Sequence, residues 1–434
     1  MTGIEQRFDR LHRDVVMTKS TAPCKTTALN LRLKYPVSYI MYDALDWVVP
    51  QSERLWEDIM KFTKWLAFAG MISLAAMSAA SAQDLSFLKN AGGHEKPFTI
   101  GVSNGFIGNA WRAQFVADIE EVAAELKADG DVKDVIVVNS TSGANGQISQ
   151  INSLLARGID ALVINPVSGE ALKPVVARAI ASGVLVVVAD NPLDMADVLN
   201  ISLDHTQYWG IETQWLVETL NGKGNIVAIE GLAGNTANDW RVRARDEVLA
   251  RNPDVKLLAS VPGQWDQATA REAMTGLLAA HDNIDGVLIQ EVMPEGAIRA
   301  FTASDTALKP LTGDYVHSYL KFWKNTPDLT SVVVANPPGI GADALRIATE
   351  ILRGKTLNAE ALVANPIDPS YKNTILVPEP YVIEREANTG RPWCTETTKC
   401  LSLDEALGML DGKPDNHSID SFMSADAIRK HYFK

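Results

Sequence analysis

Seven stretches of this 434-residue chain bring carboxylates, amides, guanidinium groups and indoles together: residues 104–112 (NGFIGNAWR), Asp190-Asn191, residues 231–241 (GLAGNTANDWR), Trp265-Asp266, Glu291, Asp314 and Asn336. Carboxylates, amides and guanidinium groups are planar and can each take two hydroxyls at once, and indole rings cover apolar C–H faces. Such polar and aromatic groups are suited to holding a ligand. Motifs for making or breaking bonds are missing: no GxSxG nucleophile turn, no HExxH, no phosphate-cradling GxxxxGKS/T, and Gly231-Leu232-Ala233-Gly234 is too short for a dinucleotide fingerprint. The seven histidines are scattered. Asp129, Asp131 and Asp134 lack the twelve-residue calcium loop and read as a solvated helix-to-strand turn. No catalytic residue, metal or cofactor is expected.

The elements that must position these residues alternate in a regular way. Short β-branched apolar runs at 98–103, 135–139, 161–165 and 184–189 are separated by helical patterns at 111–128, 144–157 and 169–182, with Gly130, Gly158 and Gly183 as helix stops. A second block repeats the rhythm: strands at 225–230, 256–260, 286–290 and 331–335, helices at 207–220, 237–251, 266–281, 295–303 and 342–353, then a strand at 373–377. Alternating strands and helices predict an α/β fold with parallel sheets in two blocks. Ligands bind outside the carboxyl ends of such strands, where the polar and aromatic stretches fall. The rest reads as a Pro-rich tail with one short helix near 403–410.

Residues 60–82 (MKFTKWLAFAGMISLAAMSAASA) have the layout of a secretory signal peptide: Lys61 and Lys64, an apolar middle, and Ala80-Ser81-Ala82 before Gln83. The apolar core is too short for a membrane-spanning helix of about 20 residues. Cleavage after Ala82 is expected, with no cysteine there to take a lipid, so the product is expected to be soluble and periplasmic. Residues 1–59 then read as an upstream mis-annotation, the other reading being a cytoplasmic extension ahead of a signal anchor. From Gln83 onward the chain carries 30 Lys and Arg against 45 Asp and Glu, which argues against nucleic acid and anionic membranes as partners. Cys394 and Cys400, an even pair in an exported chain, predict a disulfide that pins the tail.

Nine segments in order, IGVSNGFIGNAWR, LVINPVSGE, VVVADNPLD, NISLDH, IEGLAGNTANDWR, SVPGQWD, IQEVMPEGAIRAF, LTGDY and VVVANPPGIGADAL, resemble the periplasmic sugar-binding proteins of ABC importers, specifically the ribose-binding type. The resemblance implies two Rossmann-like lobes with parallel sheets joined by a three-segment hinge, near residues 203–204, 335–336 and 369–373. It implies an N-terminal lobe of 83–204 plus 336–372 and a C-terminal lobe of 205–335 plus 373–434. It places Asn109, Trp111 and Arg112 in the ligand loop, Asp190 as the sugar-gripping aspartate and Asn191 where the ribose binders have an arginine. It places Asp239 in another arginine's position, with Arg241, Trp265, Asp314 and Asn336 matching and Glu291 in place of an asparagine. The departures at Asp239 and Glu291 add negative charge, implying a ligand other than ribose: another monosaccharide, a polyol or an amino sugar.

Each residue also has a plainer reading. Trp111 or Trp265 alone would be a packing aromatic, and Asp190 a cap before Pro192. Arg241, with Arg243 and Arg245 close by, is either a ligand contact or part of a solvated helix face, and Trp240 is either cleft wall or helix packing. The function expected is a binding protein, not an enzyme, that captures a monosaccharide or polyol and presents it to the permease subunits of an ABC importer. It is expected to be a monomer. A sensor signalling through a chemoreceptor is the alternative. A carbohydrate-active enzyme would need two carboxylates flanking a bond, and a transcription regulator a helix-turn-helix ahead of Lys96.

Overall fold

The computed structural model describes residues 85–377, 381–420 and 422–434. The signal-peptide and extension expectations lie outside the described residues. Two sheets organise the rest. The first has strand order β11-β5-β4-β3-β1-β2, built from β1 (Phe98–Asn104), β2 (Val132–Asn139), β3 (Ala161–Asn165), β4 (Leu185–Ala189), β5 (Leu199–Leu203) and β11 (Thr374–Val377), every pair parallel. The second has order β13-β12-β10-β9-β8-β6-β7, from β6 (Gly224–Glu230), β7 (Val255–Pro262), β8 (Gly286–Ile289), β9 (Leu311–Thr312), β10 (Ser331–Val334), β12 (Tyr381–Glu384) and β13 (Lys399–Ser402), with β10 and β12 antiparallel.

The apolar runs explain this choice. ALVIN, LVVVA and LNISL in β3, β4 and β5 are buried at every residue, as parallel strands covered on both faces must be. Helices α1 (Ala110–Ala128), α2 (Gly143–Ala156) and α3 (Gly169–Ala181) supply the cover, and Gly130, Gly158 and Gly183 all adopt positive φ just past their ends. In the second half α4 (His205–Thr219), α5 (Thr236–Arg251), α6 (Gln267–Ala280), α7 (Pro294–Ala303) and α8 (His317–Lys324) do the same. Helix α9 (Ile340–Leu352) is buried at all its residues and returns to the first half, where Gly341 lets it approach Phe115 of α1.

The chain passes between the halves at β5 to α4, at β10 to α9 and between β11 and β12. The third passage therefore follows Val377 rather than falling at 369–373, because β11 pairs with β5 as an edge strand of the first sheet. The tail also has more structure than one short helix. After β13 and α10 (Leu403–Met409), Ser418 bridges Val316 of the second half while its N–H donates to Gln114 Oε1 of α1 at 2.8 Å. Asp420 accepts from Gly339 N at 2.9 Å, Asp343 accepts from Met423 N at 2.7 Å, and α11 (Ala425–Tyr432) packs on α9. The tail is thus a fourth passage. Cys394 and Cys400 are disulfide-bonded, with Cα atoms 5.5 Å apart.

Candidate functional site

Helix N-termini deliver the first side chains. Asn109 caps α1, its Oδ1 accepting from Arg112 N at 2.9 Å, which fixes Trp111 and Arg112 in the first turn. The Arg112 guanidinium donates to Asn104 Oδ1 at 2.9 Å and lies 5.2 Å and 5.1 Å from the Phe106 and Trp111 rings. Burial lowers its pKa to about 10, against the pull of Asp190 and Glu291. Asp190 follows β4 with φ +68°, its carbonyl accepting from Ser202 Oγ at 2.9 Å. Burial raises its carboxyl, opposed by Arg112 and Arg241.

From the second half, Asn235 caps α5 and Arg241 comes one and a half turns in. Its guanidinium donates to both Glu291 oxygens at 2.8 and 2.7 Å and to Gln290 Oε1 at 3.1 Å, and it lies 4.1 Å from the Tyr208 ring. Arg241 is 1% exposed, so the solvated-helix reading fails for it. Burial alone would lower its pKa, but Glu291 and its other neighbours hold it raised. The Tyr208 hydroxyl donates to Glu291 Oε2 at 2.7 Å. Arg241 Nε donates to His205 Nδ1 at 3.2 Å, so the imidazole proton sits on Nε2 and faces the Asp190 carbonyl at 3.1 Å. Burial, then the Arg241 charge, lower His205 to about 3, which keeps it neutral.

Both halves meet around one small cavity of about 20 Å³, room for about one water. Asn109, Trp111, Arg112, Asp190, Arg241, Trp265, Glu291 and Asn336 all line it. Contacts cross it: Trp111 Nε1 donates to the Asn336 carbonyl at 2.7 Å, Asn336 Nδ2 to Asp190 Oδ1 at 3.4 Å, and Asn109 Nδ2 to the Trp265 carbonyl at 3.2 Å. Trp265 sits at φ +52° with its Nε1 on Gln290 Oε1 at 3.0 Å, and a β-carbon on Gly231 would collide with its indole. Val292 at φ +72° completes a set of positive-φ residues around the site, each strained by about 1–3 kcal/mol.

Three of the expected residues stand elsewhere. Asn191 is buried, but its amide donates to Asn165 Oδ1 at 2.6 Å and the Pro166 carbonyl at 2.9 Å, outside the cavity. Asp239 is exposed on α5, because the inner face of that helix takes Asn238, Arg241 and Arg245, and position 239 lies a quarter turn or more away. Its charge is lost to the site, and with it half the case for an amino sugar. Asp314 accepts from Val292 N at 2.9 Å and lines a neighbouring chamber; burial, then Glu291, raise it to about 7. Sequence reasoning missed His205, Tyr208, Asn238 and Gln290. Only the break LIQE at the end of β8, a polar pair after a buried run, signalled Gln290.

Among the described residues, no group of three or more acidic, histidine or cysteine side chains could hold a metal ion, and no helix is long and apolar enough to cross a membrane. Comparison with known proteins fits this geometry. The chain is 28% identical over 236 residues to a xylitol-binding protein of Mycolicibacterium smegmatis, covering 53% of this chain and 67% of that one. It is 27% identical over 289 residues to the ribose import binding protein of Bacillus subtilis, covering 65% and 92%. Among solved structures, an ABC transporter solute-binding protein from Thermobispora bispora superposes with a TM-score of 0.65 at 27% identity, covering 77% of this chain and 94% of that one. The family model described as a periplasmic binding protein domain matches residues 100–356, so the chain belongs to the periplasmic binding protein family and is a binding protein rather than an enzyme.

Proposed function

We propose that this protein captures a neutral carbohydrate, a monosaccharide or polyol, between two lobes and presents it to an ABC importer in the periplasm. The observation that carries the reading is the cavity lined from both sheets, where Arg112 and Arg241 face Asp190 and Glu291 beneath two indoles. Two cations against two anions leave no net charge for the ligand to answer. Charge-assisted hydrogen bonds from these groups, roughly twice as strong as neutral ones, select among hydroxyl patterns, and Trp111 and Trp265 cover C–H faces.

The first lobe is residues 85–203 with 336–377, and the second is 205–334 with the strands from Tyr381 onward. Ligand contacts from both lobes favour the closed form over an open one, a population shift about the chain passages. In the arrangement described here the Arg241–Glu291 pair and the Asn336–Asp190 contact bind to one another groups that ligand hydroxyls would engage. A sugar therefore exchanges those internal bonds for its own. Residues 60–82 serve export, and no lipid anchor is needed.

A thermal-shift panel of pentoses, hexoses, their deoxy forms, polyols and amino sugars tests this. Neutral carbohydrates raise the melting temperature and amino sugars do not. No shift with any neutral carbohydrate, or the largest with an amino sugar or with ribose, contradicts the reading.

A further inference from the structure

Beside the inner cavity lies a chamber of about 260 Å³, and the two share Asn109, Trp111 and Val292 as a common wall. Its remaining walls come from Gly108 and Ala110 at the turn into α1, the start of α6, the segment from Asp314 into α8, and the tail, through Asn416 and Ser418. The chamber exists in this form because the tail passes across the two halves at Ser418.

Most polar groups of the inner cavity are bound to one another, although Asn336 Oδ1 is buried there without a hydrogen-bond partner. In the inner cavity Arg241 is bound to Glu291, Asn336 to Asp190 and Trp265 to Gln290. In the outer chamber the half-buried Gln267 amide, the exposed Asn416 amide and the Ser418 hydroxyl have no hydrogen-bond partner among the described residues. Amides and hydroxyls both donate and accept, as sugar hydroxyls do. The chamber volume corresponds to roughly nine waters at about 30 Å³ each, comparable with one sugar ring. Its charged side chains are the carboxylates Asp266 and Asp314, with no cation, which disfavours an acidic guest.

We propose that this chamber is a second subsite, formed in part by the tail, that receives a neutral hydroxylated unit linked to the one held in the inner cavity. The monosaccharide or polyol proposed above is then the inner unit of a two-unit carbohydrate, a disaccharide or a glycosylated polyol. The inference rests on the carbohydrate-binding reading above and specifies the size of its ligand. The tail becomes a determinant of specificity through Asn416 and Ser418.

Isothermal titration calorimetry of the full chain decides it. The probes are single-unit sugars and polyols set against neutral two-unit carbohydrates: trehalose, maltose, lactose, melibiose, sucrose and maltitol. A two-unit probe is expected to bind at least tenfold more tightly than either of its halves. In the double variant Gln267→Ala with Asn416→Ala, its affinity falls on the order of tenfold, while single-unit affinities stay within about twofold. Single-unit probes that bind as tightly as their glycosides, or a variant that weakens both classes equally, overturn the subsite and leave the carbohydrate reading intact. Binding by neither class removes both.

Discussion

At the scale of single residues, the buried Arg241–Glu291 pair carries the most consequence. Arg241 is 1% exposed and Glu291 5%, so removing one partner strands the other charge away from water. Arg241→Ala is expected to cost about 3–5 kcal/mol in urea unfolding and to abolish ligand binding. A loss below about 1 kcal/mol would show that the pair is not buried as described. Gly231→Ala acts differently: its β-carbon displaces the Trp265 indole, so ligand affinity falls more than tenfold in calorimetry while stability drops by about 1–3 kcal/mol. Unchanged affinity would remove Trp265 from the ligand wall. Residue types after strands made Asn109, Trp111, Asp190 and Trp265 legible in the sequence, because each follows a strand end that the apolar pattern already marked. Asp239 lies one helical position past the buried Asn238, and one position turns a side chain through about 100°, which the residue type alone does not reveal. Tyr208 and His205 were hidden because both lie on a helix whose inner face reads as packing.

At the scale of elements, the tail is the part least expected from sequence. Strands β3 and β4 announce themselves as unbroken apolar runs, but β9 is two residues long and β12, β13 and α11 are short pieces stabilised by what they pack against. Local pattern cannot reveal these. Gln114 joins α1 to the tail at Ser418 and Asp420, so Gln114→Ala leaves the buried Ser418 N–H unpaired. We expect a loss of about 1–3 kcal/mol and faster amide exchange at Ser418 while β1 stays protected. Equal protection at Ser418 in both proteins would contradict the described docking.

The same joint responds to pH. Burial, the hydrogen bond to Asp420 and the charges of Asp420 and Glu121 raise the Asp118 carboxyl, with Lys413 opposing. The folded protein therefore holds a proton there that the unfolded chain releases at about pH 4. Its contribution to stability is complete below that pH and declines as pH rises toward the raised folded value. Asp118→Asn removes the titration, so melting temperatures of the variant and the parent diverge between pH 5 and 9, the parent losing more at the alkaline end. Parallel profiles would show that Asp118 is ionised in the folded protein.

At the scale of the whole molecule, two α/β halves enclose polar groups that neither half could bury alone. Asp190 and Arg112 come from the first sheet's helix and strand ends, Arg241 and Glu291 from the second, and Asn336 from the passage between them. The two-block architecture was legible because strand and helix periods alternate twice along the chain. The third passage was not, because the edge strand Thr374–Val377 belongs to a sheet whose other strands ended 170 residues earlier. The central claim is that a carbohydrate draws the halves together. Small-angle scattering of the full chain, with and without the sugar that stabilises it most, tests this directly. The account predicts a smaller radius of gyration at saturation and no change for Asp190→Ala under the same conditions; an unchanged radius for the parent protein with bound sugar would contradict it.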